Sequence, residues 1–220
     1  MEIIASRKTA LLLGATGLVG GELLDQLLGH QAYARVVAPT RRRLHRESKK
    51  LHNPQIKFDR MERHAADFRC HDVYIALGTT IKKAGSKEAF RRVDYDYIVR
   101  GAQLARAGGA NQCLLISAAA ADSESAFFYN RVKGETEEAV TNLDFWAIHV
   151  FRPGVLIGKR DELRIGEKVA AGVSTVLRQI SPNLLGEYNP TRADVLAQRM
   201  IAAAQSFSPG VRFHRAQELL

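Results

Sequence analysis

Long hydrophobic runs, paired cysteines and metal-ligand spacings are what this 220-residue sequence lacks. No uninterrupted apolar stretch approaches the roughly 20 residues that span a bilayer, and the opening residues MEIIASRK have no signal-peptide architecture. No membrane partner is expected, and a cytoplasmic location is. The two cysteines, Cys70 and Cys113, are not spaced as a pair; a reducing compartment keeps both as thiols, Cys113 as a small core residue of a strand. The seven histidines include no His-Glu-x-x-His or comparable spacing, so no metal site is expected. Repeats, low-complexity tracts and heptads are also missing, which leaves the oligomeric state open.

Charge of one sign is in excess, not in short supply. The formal net charge is +9, and the densest basic cluster is RRRLHRESKK, residues 41–50. Clustered Lys and Arg suit nucleic-acid phosphates. No aromatic stacking platform or nucleic-acid module accompanies the cluster, so a nucleic-acid partner is not expected. A solvated loop after a strand is the plain reading, and part of the cluster has a sharper one below.

With 46% hydrophobic and 25% charged residues, the chain is long enough for one good core and short for two domains. Short aliphatic or β-branched runs recur at TALLL, ARVVAP, QIKF, DVYIAL, QCLLIS and FWAIHVF, separated by helical patterns or turns. That alternation predicts parallel strands joined by right-handed crossovers, a Rossmann-type doubly wound α/β sheet in a single domain over 1–220. After DVYIAL the pattern predicts one helix capped by Ser86, with Glu88 in its first turn, a buried stripe of Phe90, Val93, Tyr97 and Ile98, and an end at Gly108 and Gly109. The dinucleotide-binding core occupies 1–160. Residues 161–220 form a smaller region expected to cover the open end of the sheet, with helices over 162–180 and 191–205 and a loop between them. The substrate is expected to be a small molecule, its pocket lined by LIGKRDEL and LLGEYNPTR.

The sharpest motif is TALLLGATGLVGGELL, in which a strand turns into a helix through Gly14, Gly17 and Gly20. The first glycine permits a tight turn, the second lets backbone approach a pyrophosphate, and the third lets helix pack close on sheet. The helix N-terminus then faces the anion with free N–H groups. The second strand ends in Arg41, Arg42 and Arg43, where NAD-preferring folds place an acid for the ribose 2′-hydroxyl. A guanidinium instead pairs with a 2′-phosphate, which makes NADPH the expected cofactor with Arg41 and Arg42 as its readers. Asp59, just after the QIKF strand, either borders the adenine or serves as a turn aspartate.

Tyr129 and Lys133 stand four apart in a helical segment and so share a face. A free phenol, with a pKa of about 10, is a poor proton carrier near neutrality, and a nearby ammonium favours its ionised form. Lys133 also suits the nicotinamide ribose. Ser117, at the end of the preceding strand, is placed to bond the substrate oxygen. Tyr129, Lys133 and Ser117 are the expected catalytic trio.

With GATGLVG, Ser117, Tyr129 and Lys133 together, the chain resembles a short-chain dehydrogenase/reductase of the atypical or extended kind. The runs ALGTTIKKAGSKEAFRRVDYDYIVRGAQLARAGG, YNRVKGETE and VFRPGVL resemble the Tat-interacting oxidoreductase family, over nearly the whole chain to about residue 160. That resemblance implies that Gly14, Thr16, Gly17, Leu18 and Val19 hold the pyrophosphate, that Leu77, Gly78 and Thr79 wall the cofactor, and that Arg152 contacts it. It implies too that Val155 and Leu156 lie near the carboxamide. Two departures stand out: Asp94 replaces the Asn of many sugar-active relatives, and Ser117 is followed by AAAA. The activity implied is an NADP(H)-dependent oxidoreductase acting on a small carbonyl or alcohol. An NADPH-dependent interaction protein and a nucleotide-sugar epimerase or dehydratase remain alternatives.

Overall fold

The computed structural model describes residues 8–158 and 189–219. Strand β1 (Lys8–Leu13) alternates strictly: Ala10 and Leu12 enter one core cluster, Leu11 and Leu13 the other. A strand buried on both faces therefore reads as a continuous aliphatic run, as a central parallel strand must. It is followed by α1 (Leu18–Gly29) and by β2 (Tyr33–Val37). Then come a two-residue β3 (Leu51–His52), a kinked 3₁₀ run (Phe58–Phe68) and β4 (Asp72–Ile75).

Two short helices follow, α2 (Ile81–Ala84) and α3 (Lys87–Arg91), before a π turn (Arg92–Asp96) leads into α4 (Tyr97–Ala107). The chain goes on through β5 (Gln112–Ile116), α5 (Phe128–Thr141), β6 (Ala147–Arg152) and β7 (Leu156–Ile157). After the undescribed stretch come β8 (Thr191–Arg192), α6 (Ala193–Ala204) and β9 (Gly210–Arg215).

The main sheet has the order β3-β2-β1-β4-β5-β6-β9, and each of its pairings is parallel. One face carries α1 and α6, whose Val19, Leu23, Leu27, Leu196 and Met200 pack on Leu12, Tyr74 and Phe151. The other carries the 3₁₀ run, α4 and α5, with Phe58, Phe68, Ile98 and Val140 on Leu13, Ile75 and Val150. This is the doubly wound Rossmann sheet expected from the sequence, and strand order reverses between β1 and β4, where such folds open a crevice for ligands. At the opposite ends of the strands, buried Asp72 accepts from Tyr33 Oη at 2.7 Å, Gln112 Nε2 at 3.0 Å and Lys8 Nζ at 3.2 Å, tying four strands together.

Two local expectations need correction, and a third holds with an addition. QIKF is not the third strand: Gln55 makes an isolated bridge to Thr40, and Asp59 lies in the first turn of the 3₁₀ run. Pro54 has no N–H to give a ladder, and Ile56 and Phe58 are spent as buried anchors beside it. The helix expected from Ser86 to Gly108 is present as α3, the π turn and α4 in one unbroken helical run, and the separate short α2 before it is the addition. Ser86 does cap α3, accepting from Ala89 N at 3.1 Å, while Gly85 at φ +88° closes α2. In the buried stripe Phe90 and Ile98 are fully covered, Val93 and Tyr97 only half, and between them the π turn buries Asp94. Finally, β9 supplies a seventh strand that hydrophobic patterning did not suggest. The helix expected over 191–205 is present as α6 with β8 before it, whereas the one over 162–180 lies outside the described residues.

Candidate functional site

The C-terminal ends of β1, β4, β5 and β6 bring the expected residues to one edge of the sheet. After β1, Gly14 adopts φ +98°, and a Cβ there would lie 2.5 Å from the carbonyl carbon and oxygen of Ala76. A Cβ on Gly20 would lie 1.9 Å from Gly14 O. No other residue type fits either position without moving backbone. Gly17 N donates to Gly14 O at 2.9 Å, and Gly17 begins α1 with no side chain capping its first N–H groups and no acid in its first turn. Such a bare helix end, reached by a turn that begins and ends on glycine, is a fitting cradle for a pyrophosphate. Around it Val19 is buried, Leu18 half-buried and Thr16 exposed.

Beyond β2, Asn53 pins the basic loop. Its Nδ2 donates to Ala38 O at 2.6 Å and Thr40 Oγ1 at 2.8 Å, and its Oδ1 accepts from Leu44 N at 2.8 Å. Arg41, Arg42 and Arg43 are thereby presented on a held backbone with their side chains in solvent. Asp59 accepts a hydrogen bond from Tyr97 Oη. Burial first, then this bond and the Asp59 charge, push the Tyr97 phenol up to about 12, while Arg92 and Arg41 pull the other way. Arg41, Asp59 and Tyr97 therefore share one neighbourhood beyond the end of β2.

Leu77, Gly78 and Thr79 follow β4, all half-buried. Thr79 N donates to Asp94 Oδ2 at 2.8 Å, and Asp94 Oδ1 stands 2.7 Å from Lys133 Nζ. Asp94 is fully buried, and a Cβ on Gly78 would come within 3.4 Å of its carboxylate. Thr136 fastens the π turn to α5 by donating to Asp94 O at 2.8 Å. Burial alone would drive the Lys133 ammonium down; Asp94 above all, with Tyr129 and Glu137, more than reverses this and holds it charged above the ordinary lysine range. Tyr129, one turn before Lys133, is 38% exposed, with its ring against Phe90 at 5.5 Å. Ser117 directly follows β5, with its backbone N–H on Phe151 O at 2.8 Å and its buried Oγ without a partner among the described residues.

Arg152, at the end of β6, directs its guanidinium to Glu137, with Nε 3.0 and 3.2 Å from the two carboxylate oxygens, and lies over the Phe213 ring at 4.8 Å. Val155 O accepts from Thr191 N at 2.8 Å, and Leu156 pairs with Thr191, so this part of the expected carboxamide wall is held by the returning chain. Most of LIGKRDEL and LLGEYNPTR lies outside the described residues. Among the described residues there is no cluster of three or more metal-ligating side chains, and no helix is long and apolar enough to cross a membrane. Sequence reasoning missed the partners of Lys133 and Arg152. Asp94 was visible only as a departure from relatives, and the Lys133-x-x-x-Glu137 spacing on one helix face was the signal that could have led to Glu137.

No family model matches the chain. It is similar to the protein HTATIP2 of Rattus norvegicus, 41% identical over 167 residues that cover 74% of this chain and 69% of that one. It is similar also to FMP52-1 of Scheffersomyces stipitis, 33% identical over 222 residues and 96% of each chain. Among solved structures, MoeE5 in complex with UDP-glucuronic acid and NAD superposes with a TM-score of 0.71 at 13% identity, covering 93% of this chain and 75% of that one, a likeness of fold. The cytoplasmic expectation does not survive: FMP52-1 and the related fungal proteins of Emericella nidulans and Candida albicans are named as mitochondrial. The extent and identity of these matches put the chain in the Tat-interacting oxidoreductase family of HTATIP2 and FMP52, atypical short-chain dehydrogenase/reductases with an NAD(P)-binding Rossmann fold.

Proposed function

We propose that the protein is an NADP(H)-dependent oxidoreductase that interconverts a small carbonyl compound and its alcohol. The observation that carries this reading is the buried Lys133 ammonium one helical turn from the exposed Tyr129 phenol, on the sheet edge that also holds the uncapped start of α1. When bound, the dinucleotide would supply or accept the hydride at the carbonyl carbon. The chain's own residues do the rest. Gly14, Gly17 and the α1 N-terminus bind the pyrophosphate, Arg41 and Arg42 the 2′-phosphate, and Lys133 the nicotinamide ribose. Tyr129 gives a proton to the carbonyl oxygen, or takes it back in the reverse direction, while Ser117 Oγ donates a hydrogen bond to that oxygen. A hydride on carbon and a proton on oxygen complete the alcohol, and solvent restores the phenol.

NADPH in preference to NADH is supported by the Arg41–Arg43 loop and by the lack of an acid at the end of β2. The test is thermal unfolding with each dinucleotide, followed by a carbonyl and alcohol screen read by NADPH absorbance. Stabilisation by NADPH and turnover of at least one compound are expected. Failure of both dinucleotides to raise the melting temperature would overturn the reading.

A further inference from the structure

Strand β9 is the outer edge of the main sheet, away from the β1–β4 crevice, and nothing in the proposed reaction uses it. Gly210 N donates to Trp146 O at 2.9 Å, which turns the N–H and C=O groups of Gly210, Arg212 and His214 towards β6. The backbone groups of Val211, Phe213 and Arg215 therefore point away from the sheet, and among the described residues they have no hydrogen-bond partner. An open edge of this kind is a template for one more strand.

Val211 and Phe213 share a face with Ile148 and Val150 of β6. On β6 that face is buried together with Val140 of α5; on β9 it lies open, with Val211 46% and Phe213 45% exposed. Trp146, two residues before Ile148, extends the same apolar strip and is exposed as well. Arg212 on the opposite face and Arg215 at the end of the strand are exposed, and among the described residues neither has an ion-pair partner. Arginines alone would serve to guard an edge. Beside an uncovered strip of aromatic and aliphatic side chains they make the composition of an interface centre, and they select its occupant. Two-fold antiparallel pairing of β9 with a second copy would gather Arg212 and Arg215 of both chains along one seam, with no carboxylate in GVRFHR to answer them. A strand that alternates apolar residues with Asp or Glu fits both faces: its apolar side chains lie beside Val211 and Phe213, and its acids fall on the face of Arg212.

We propose that the outer edge of β9 is a docking site for an extended acidic segment of a partner protein, which adds a further strand to the sheet. The test uses the whole chain and a short capped peptide that alternates valine with glutamate, carries a fluorophore and is read by anisotropy. A control peptide has lysine in place of each glutamate. The glutamate peptide is expected to bind, and the lysine peptide to bind at least about tenfold more weakly. Arg212→Glu with Arg215→Glu should reverse that order. Val211→Pro removes an outward N–H and leaves the pairing with β6 in place, so it should abolish binding of the glutamate peptide. Should Val211→Pro not fold, the arginine variant, changed only at exposed side chains, decides alone. Absence of binding by the glutamate peptide overturns the proposal. Equal binding of the two peptides overturns it too, as does binding of the glutamate peptide that survives these substitutions, which would place it elsewhere, as on the basic run 41–50. A dimer in sedimentation that Val211→Pro dissolves also overturns it, because a second copy would then occupy the edge.

Discussion

Glu137 on α5 and Arg152 at the end of β6 form a two-point ion pair, with Arg152 Nε within 3.2 Å of both carboxylate oxygens and the carboxylate almost wholly buried. The pair ties the helix that carries Tyr129 and Lys133 to the strand that leads into β7. Removing the guanidinium strands a charge inside. Arg152→Met is expected to cost about 3 kcal/mol of stability, and Glu137→Gln distinctly less, because an amide oxygen still accepts from the guanidinium. Urea unfolding of both variants checks this; equal midpoints for Arg152→Met and wild type would refute it.

The turn at Gly14 sets a second expectation. Gly14→Ala places a Cβ 2.5 Å from backbone of Ala76 at a φ of +98°. Strand β4 or the turn must shift, at a cost of at least about 1–3 kcal/mol. Dinucleotide binding should weaken more than the fold does, since the cradle itself moves. Calorimetric titration with NADPH beside a melting curve separates the two, and a variant that binds as wild type does would show that the turn is not the cradle.

On the proposed function, cofactor choice turns on the basic loop. Replacing Arg41 and Arg42 together by Ala should abolish most of the preference for NADPH over NADH while leaving the melting temperature of the free protein nearly unchanged, because both side chains are exposed. Retained selectivity in the double variant would shift the 2′-phosphate contact to other residues.

Tyr129→Phe removes one hydroxyl from a half-exposed ring and leaves the Phe90 contact available. NADPH affinity should survive and turnover should fall by about 10²–10⁴-fold, the usual worth of a positioned acid or base. Should the wild type bind NADPH yet turn over no carbonyl or alcohol, the protein is better read as an NADPH-dependent interaction protein.

Acid should weaken the fold through the far edge of the sheet. His149 Nδ1 stands 2.9 Å from His214 Nε2, and the two rings stack. Burial first, then the charges of His214 and Arg212, hold His149 below its ordinary 6.5, down to about 4. Burial first, with Arg212, also lowers His214, against the pull of Glu218. Unfolded chain therefore takes up protons that the native state refuses. The stability is full above about pH 6.5 and is lost as pH falls towards about 4. His149→Phe, which keeps a ring beside Phe151, should flatten that slope in urea midpoints taken across the range; an unchanged slope would assign the acid sensitivity elsewhere.

Much of this was legible in the sequence because it is locally encoded. The glycine triplet marks a turn whose positive φ at Gly14 and close Gly20–Gly14 approach are local, even though Gly14 also abuts Ala76, and the aliphatic runs of β1, β4, β5 and β6 are buried on both faces, which leaves no ambiguity of pattern. Tyr129 and Lys133 are one helical turn apart and announce their own geometry. Asp94 and Lys133 meet only through tertiary structure, by way of a π turn that carries no sequence mark. The two-residue β3 is too short for any periodicity to reveal. In β9 every residue but His214 is exposed, so Val211 and Phe213 lacked the contrast with a buried partner strand that betrays the others.

The place of β9 in the sheet has a consequence for synthesis. Strand β6 is flanked by β5 and β9, yet about sixty residues separate its end from the start of β9. At roughly 5–20 residues per second of translation, a growing chain displays the free edge of β6 for several seconds after the other strands can have assembled. That edge, AIHVFR, is apolar and rich in unpaired backbone groups, the template on which nascent chains pair wrongly. The protein thus passes through an interval on the ribosome in which a holdase chaperone would find its target along β6.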